Sequence, residues 1–112
     1  MFLLFMVLDD PARLSEVLVA WEGAGVRGAT ILESTGLQRI FERQRPDAVQ
    51  VVPDVSARGM VGHRTLFAVV ADLEMAEAAM RRAEAVIGDL TEPNTGIAFL
   101  VPVLAAWGLP QL

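Results

Sequence analysis

Phe2 to Gly25 reads FLLFMVLDDPARLSEVLVAWEGAG, and a second stretch of the same design follows at Thr65 to Gly88, TLFAVVADLEMAEAAMRRAEAVIG. Each begins with a continuous apolar run, the mark of a strand in the middle of a sheet or covered on both faces. Each then meets an aspartate that can cap a helix, and each ends on glycine. In the first unit Pro11 follows Asp10 at the first helical position, where its missing N–H costs nothing. Leu14, Val17, Leu18 and Trp21 then recur at helical spacing, and Gly23 and Gly25 stop the helix. In the second unit Asp72 caps a helix over Leu73 to Ile87 with an apolar stripe at Ala76, Ala79, Met80, Ala83, Val86 and Ile87, and Gly88 ends it.

Two further strands complete the order. Gly28 to Thr35 is centred on Ile31 and Leu32, and Ile97 to Val103 follows the turn-rich DLTEPNTG. The sequence therefore predicts an α+β chain of order βαββαβ, a ferredoxin-like four-stranded antiparallel sheet with two helices on one face and a long loop between strands two and three. That loop spans residues 37–62, with Pro46, Pro53, Gly59 and Gly62 interrupting any pattern and only a weak helical signal over Leu37 to Arg43. Loops of this length in compact domains are usually functional or disordered. The apolar tail from Leu104 is expected to lie against a neighbouring subunit.

A chain of 112 residues suits one domain, expected to span 1–112. Apolar residues make up 54% of it and the mean hydropathy is +0.46, more than a monomer of this size easily hides. Oligomerisation through the sheet face without helices accounts for the excess. No apolar run reaches the roughly 18 residues that span a bilayer. Phe2 to Leu8 lacks the charged flank and cleavage site of a signal peptide, and there is no cysteine, so a cytoplasmic protein without disulfides or thiol chemistry is expected.

Net charge is −5, which argues against nucleic acid as a partner. Against that background residues 36–64 are locally basic, with five arginines and three acids. The residue inventory holds no nucleophile–base pair and no Walker or dinucleotide fingerprint, so no enzyme is expected and no catalytic residue is assigned. His63 is the single histidine, read as a surface or hinge residue rather than a metal ligand. Trp21 and Met80 are read as core.

Three local signatures, in order along the chain, resemble the PII-like signalling proteins, the superfamily of nitrogen regulatory protein P-II. The first is Gly25-Val26-Arg27-Gly28-Ala29-Thr30 with Glu33, Gly36 and Arg39, similar to that family's G-x-T-x-x-E-x-x-G-x-x-R run. The second is the turn ending Asn94-Thr95-Gly96, and the third is Phe99-Leu100-Val101-Pro102-Val103, similar to I-F-V-x-P-V.

This resemblance implies a homotrimer that binds a small metabolite, an adenine nucleotide in the first instance, in clefts between subunits. Gly28 and Thr30 would then meet the base, Gly36 would turn the chain beside the phosphates, and Arg39 would offer donors to an anionic group. Asn94, Thr95 and Gly96 of the neighbouring copy would close the pocket. The long loop, through Phe41, Arg43, Arg45 and Arg58, would dock on a protein target such as a transporter or enzyme. No cofactor or metal is implied with certainty.

The same residues also carry a plainer reading. Gly28 and Gly36 can simply bound a strand, Thr30 is an ordinary β-former, and Asn94-Thr95-Gly96 suits any tight turn. On that reading the chain is a ligand-free trimeric scaffold or interaction protein, and an enzyme on a ferredoxin-like scaffold is the lesser alternative. The pattern also departs from the family: Ile97 stands where a phosphate-binding lysine is usual, Ile40 where a glutamine is usual, and the C-terminal arginines are missing. The chain contains no tyrosine to uridylylate. Losing two or three cationic contacts, each worth roughly 1.5–3 kcal/mol, disfavours a triphosphate and favours a less charged ligand.

Overall fold

The computed structural model describes residues 1–34, 62–92 and 95–109. Strand β1, Phe2–Leu8, leads through a 3-10 turn at Pro11–Arg13 into helix α1, Leu14–Gly23. Strands β2, Thr30–Ser34, and β3, His63–Val70, follow; then come helix α2, Leu73–Ile87, and strand β4, Gly96–Pro102. The sheet runs β2-β3-β1-β4 with every neighbouring pair antiparallel. This is the α+β, ferredoxin-like arrangement expected from the sequence.

The second helix starts as expected, with the Asp72 carboxylate accepting the Met75 N–H at 2.8 Å. The first does not: the Asp10 carboxylate accepts the Ala12 N–H at 2.9 Å and caps the 3-10 turn Pro11–Arg13, while α1 itself begins at Leu14 after Arg13, which makes no side-chain capping bond. Gly23 turns out to be the last helical residue of α1, and Gly25 is what terminates it. At φ 101°, Gly25 lets the Val26 N–H reach back to the Trp21 carbonyl at 3.1 Å while its own N–H binds that of Glu22 at 3.0 Å. The paired bonds form a Schellman cap, with Val26 and Trp21, both buried, supplying its usual apolar contact.

Opposite residues in an antiparallel ladder point to one side of the sheet, so the register assigns the two faces. Leu4, Met6 and Leu8 of β1 share a face with Leu66, Ala68 and Val70 of β3, and all six are buried beneath the helices. Val17 and Trp21 of α1 and Ala76, Ala79 and Ala83 of α2 close this core. The three alanines recur on one side of α2 and are fully buried, so the helix backbone can approach closely. Arg13 ties the start of α1 to the end of α2 by donating to the Val86 carbonyl. Met80 packs at the core's margin.

No described helix covers the opposite face. Phe5 stands at its centre, stacked on Phe99 of β4 with ring centroids 4.7 Å apart and on Phe67 of β3 at 6.4 Å. The register sets Leu3, Val69 and Val101 in one flanking row and Val7, Thr65 and Ile97 in the other. Leu32 of β2 joins the second row, and Leu32, Ile97, Phe99 and Val101 are all more than two-fifths exposed. One polar pair interrupts this surface: the Ser34 and Thr65 hydroxyls are 2.7 Å apart.

Strand limits differ from expectation by one or two residues, and β2 differs for a reason that matters. Its expected start was Gly28, but its ladder to β3 ends at Thr30 opposite Phe67. Beyond that point β3 continues to Val70, paired only with β1. Residues 27–29 have left the sheet.

Candidate functional site

The departure of residues 27–29 opens a cavity of about 380 Å³ between the start of β2 and the end of β3. It falls in the usual size range of small-molecule sites, about 300–1,000 Å³. Arg27, Gly28 and Thr30 form one wall, Phe67 and Val69 another, and Leu109 of the C-terminal tail reaches its edge. Most of the lining is apolar. Arg27 is its single charged residue among the described residues and is itself exposed.

Among the described residues nothing lies within 4 Å of where a β-carbon on Gly28 would stand, and its φ lies outside the positive range. Neither the described neighbours nor the backbone conformation requires a glycine there. Thr30 lies on the helix-free face, opposite Phe67, and is exposed. These two sequence-predicted residues are therefore neighbours at one cavity.

Thr95 and Gly96 sit elsewhere. Gly96 pairs with Leu8, at the end of β1 farthest from Phe2, on the β4 edge of the sheet. Gly28 precedes the start of β2, on the other edge of the sheet and alongside the part of β3 that runs on past Phe67. One chain cannot bring the two glycines together. Gly96 also has an internal reason to be glycine: at φ 136° its β-carbon would stand 2.1 Å from the Val7 carbonyl oxygen. Thr95 is engaged locally, its hydroxyl donating to the Glu92 carbonyl at 2.8 Å and its carbonyl accepting the Asp9 N–H at 3.3 Å. The Asp9 carboxylate in turn meets His63 Nε2 at 3.0 Å, which joins the start of β3 to the turn before β4. In the same turn, Asp89 accepts both the N–H and the hydroxyl of Thr91 at 2.8 Å. Those two bonds hold its carboxyl below the usual aspartate value.

Gly36, Arg39 and Asn94, together with Phe41, Arg43, Arg45 and Arg58 of the long loop, lie outside the described residues. So does the segment in which a short helix was expected. Among the described residues no cluster of three or more metal-ligating side chains occurs. No described helix is long and apolar enough to cross a membrane.

Sequence reasoning missed six lining residues: Arg27, Ala29, Phe67, Ala68, Val69 and Leu109. Arg27 had a signal, since it lies between Gly25 and Gly28 in a stretch with few other side chains of size. The others had none, because Ala29, Phe67, Ala68 and Val69 read as ordinary strand residues and Leu109 as tail.

No family model matches the chain, and no curated protein matches it. Among solved structures it is similar to the crystal structure of Arabidopsis thaliana PII bound to citrate, with a TM-score of 0.58 and 16% identity. That match covers 91% of this chain and 76% of the other. The chain has a PII-like fold, in a sequence that has diverged far from that neighbour.

Proposed function

We propose that this chain is a signalling protein that assembles as a homotrimer and binds a small metabolite, an adenine nucleotide or a relative, where copies meet. Binding is read out by a protein target that docks on residues 37–62. The observation that carries this reading is the cavity at Gly28 and Thr30, the two residues that the resemblance to PII-like proteins would set against a ligand. The exposed apolar sheet face supports assembly, because a monomer rarely leaves so contiguous a patch in water. The number three comes from the resemblance of the sequence to the PII-like proteins. The solved neighbour holds citrate, a small anion, which fits the general idea of a metabolite sensor.

Native mass spectrometry of the protein from its own cells reports subunit number and any retained molecule together. Three copies with a bound small molecule support the reading; a lone chain in dilute solution removes it. Deleting residues 43–59 is expected to spare the fold and abolish capture of the target, whereas unfolding on deletion counts against a docking role.

One observation favours the scaffold reading instead. Gly96 and Thr95 are accounted for by contacts inside the chain, without a ligand. On the scaffold reading Gly28→Val changes nothing that a binding assay measures; on the sensor reading it removes binding and leaves the melting transition in place.

A further inference from the structure

The C-terminal tail turns back on its own sheet, and we infer that it is a built-in strap across the cavity, one that an entering molecule has to lift. This rests on the reading that the cavity holds a small molecule, and concerns what stands in that molecule's way. β4 is the edge strand on the side away from β2. The chain leaves it beside β1, where the Val103 N–H donates to the Met1 carbonyl at 3.1 Å. Yet Leu109 lines the cavity with Thr30, Phe67 and Val69, on the far side of β1. Neighbouring strands lie about 4.8 Å apart, so the tail crosses about two spacings, roughly 10 Å, well within the reach of the residues between Val103 and Leu109.

The strap is held at its two ends and loosely between them. Leu104 is 99% exposed and Trp107 is 88% exposed, so neither side chain anchors it, whereas Leu109 is 39% exposed. Gly108 makes the bend that delivers Leu109, at a φ of 79° that favours glycine. Among the described residues, the far end of the tail is thus kept at the cavity by the partial burial of one leucine. That hold biases the tail toward the cavity without locking it there. The lining is mostly apolar, so the Leu109 side chain and the apolar part of a ligand compete for the same surface. When only a fraction of molecules is open to binding, the apparent affinity falls by that fraction, and removing the competing segment restores it. The strap therefore sets a threshold concentration below which the cavity stays closed.

Titration calorimetry with AMP as the probe compares the full chain, a chain ending at Trp107, and the full-length variant Leu109→Ser. The shortened chain is expected to bind AMP about three- to ten-fold tighter than the full chain, the worth of a partly buried leucine, with Leu109→Ser between them. The sequence has two tryptophans, so in a Trp21→Phe background Trp107 reports alone. AMP should lower its fluorescence anisotropy as the tail is released. Equal AMP affinity in all three chains, or weaker binding by the shortened one, overturns the strap and leaves the ligand-site reading standing. So does a Trp107 anisotropy unmoved at saturating AMP. If the shortened chain does not fold, Leu109→Ser decides: tighter binding than the parent supports the strap, and equal or weaker binding overturns it. No AMP binding by any of the three overturns the strap together with the nucleotide reading beneath it.

Discussion

Gly96 lies so close to β1 that a β-carbon on it would stand 2.1 Å from the carbonyl oxygen of Val7. Any side chain at this position must push β4 away from β1 or distort the turn before it, and the φ of 136° adds its own strain. Gly96→Ala is expected to destabilise the fold by about 2–4 kcal/mol in denaturant unfolding, within the range of strained special-backbone sites. A loss below about 0.5 kcal/mol, the level of a neutral surface change, would mean that the two strands do not approach this closely.

The Phe67–Phe5–Phe99 row crosses three strands on the face without helices, and Phe99 is 45% exposed in the single chain. In the proposed assembly it would be covered, and a carboxylate there would be buried without a partner. Phe99→Asp should therefore yield a monomer in sedimentation velocity while keeping its far-ultraviolet dichroism. An unchanged sedimentation coefficient would show that copies do not meet through this face.

Trp21 is 1% exposed, and its indole N–H is buried without a hydrogen-bond partner among the described residues. Trp21→Phe loses ring volume but also removes that orphaned donor, so the two effects oppose. The expected cost is under about 1.5 kcal/mol, against about 3–5 kcal/mol for Trp21→Ala. Equal costs for the two substitutions would show that the N–H is satisfied after all.

Asp89 is exposed, and the bonds from the Thr91 N–H and hydroxyl favour its charged form. Its folded pKa is thus below the unfolded value of about 3.9. The stabilisation it contributes is complete above that value and lost as pH falls through the lowered one. Carboxyl chemical shifts followed by NMR should give Asp89 a midpoint below that of free aspartate, and Thr91→Ala, which removes the hydroxyl bond, should raise it. A midpoint at or above the free value contradicts the turn described here.

Much of the fold was readable because its instructions are local. Asp10 and Pro11 start the 3-10 turn that leads into the first helix and Gly25 ends that helix, while Asp72 and Gly88 bound the second, within a few residues of the backbone groups they satisfy. β1 and α2 lie where the apolar runs predict them. β2 was drawn too long because Gly28 and Ala29 carry no sign of leaving the sheet. Only the position of β3 reveals where pairing ends.

The alternation of apolar residues and the caps of two βα units thus determined element order and sheet class, since short-range hydrogen bonds and side-chain periodicity act along the chain itself. Tertiary structure alone decided what the glycines do. It set Gly96 against Val7, and it left Gly28 beside open space walled by Phe67, Val69 and Leu109. Such contacts depend on strand register and on where a ladder stops, which are properties of residues far apart in sequence.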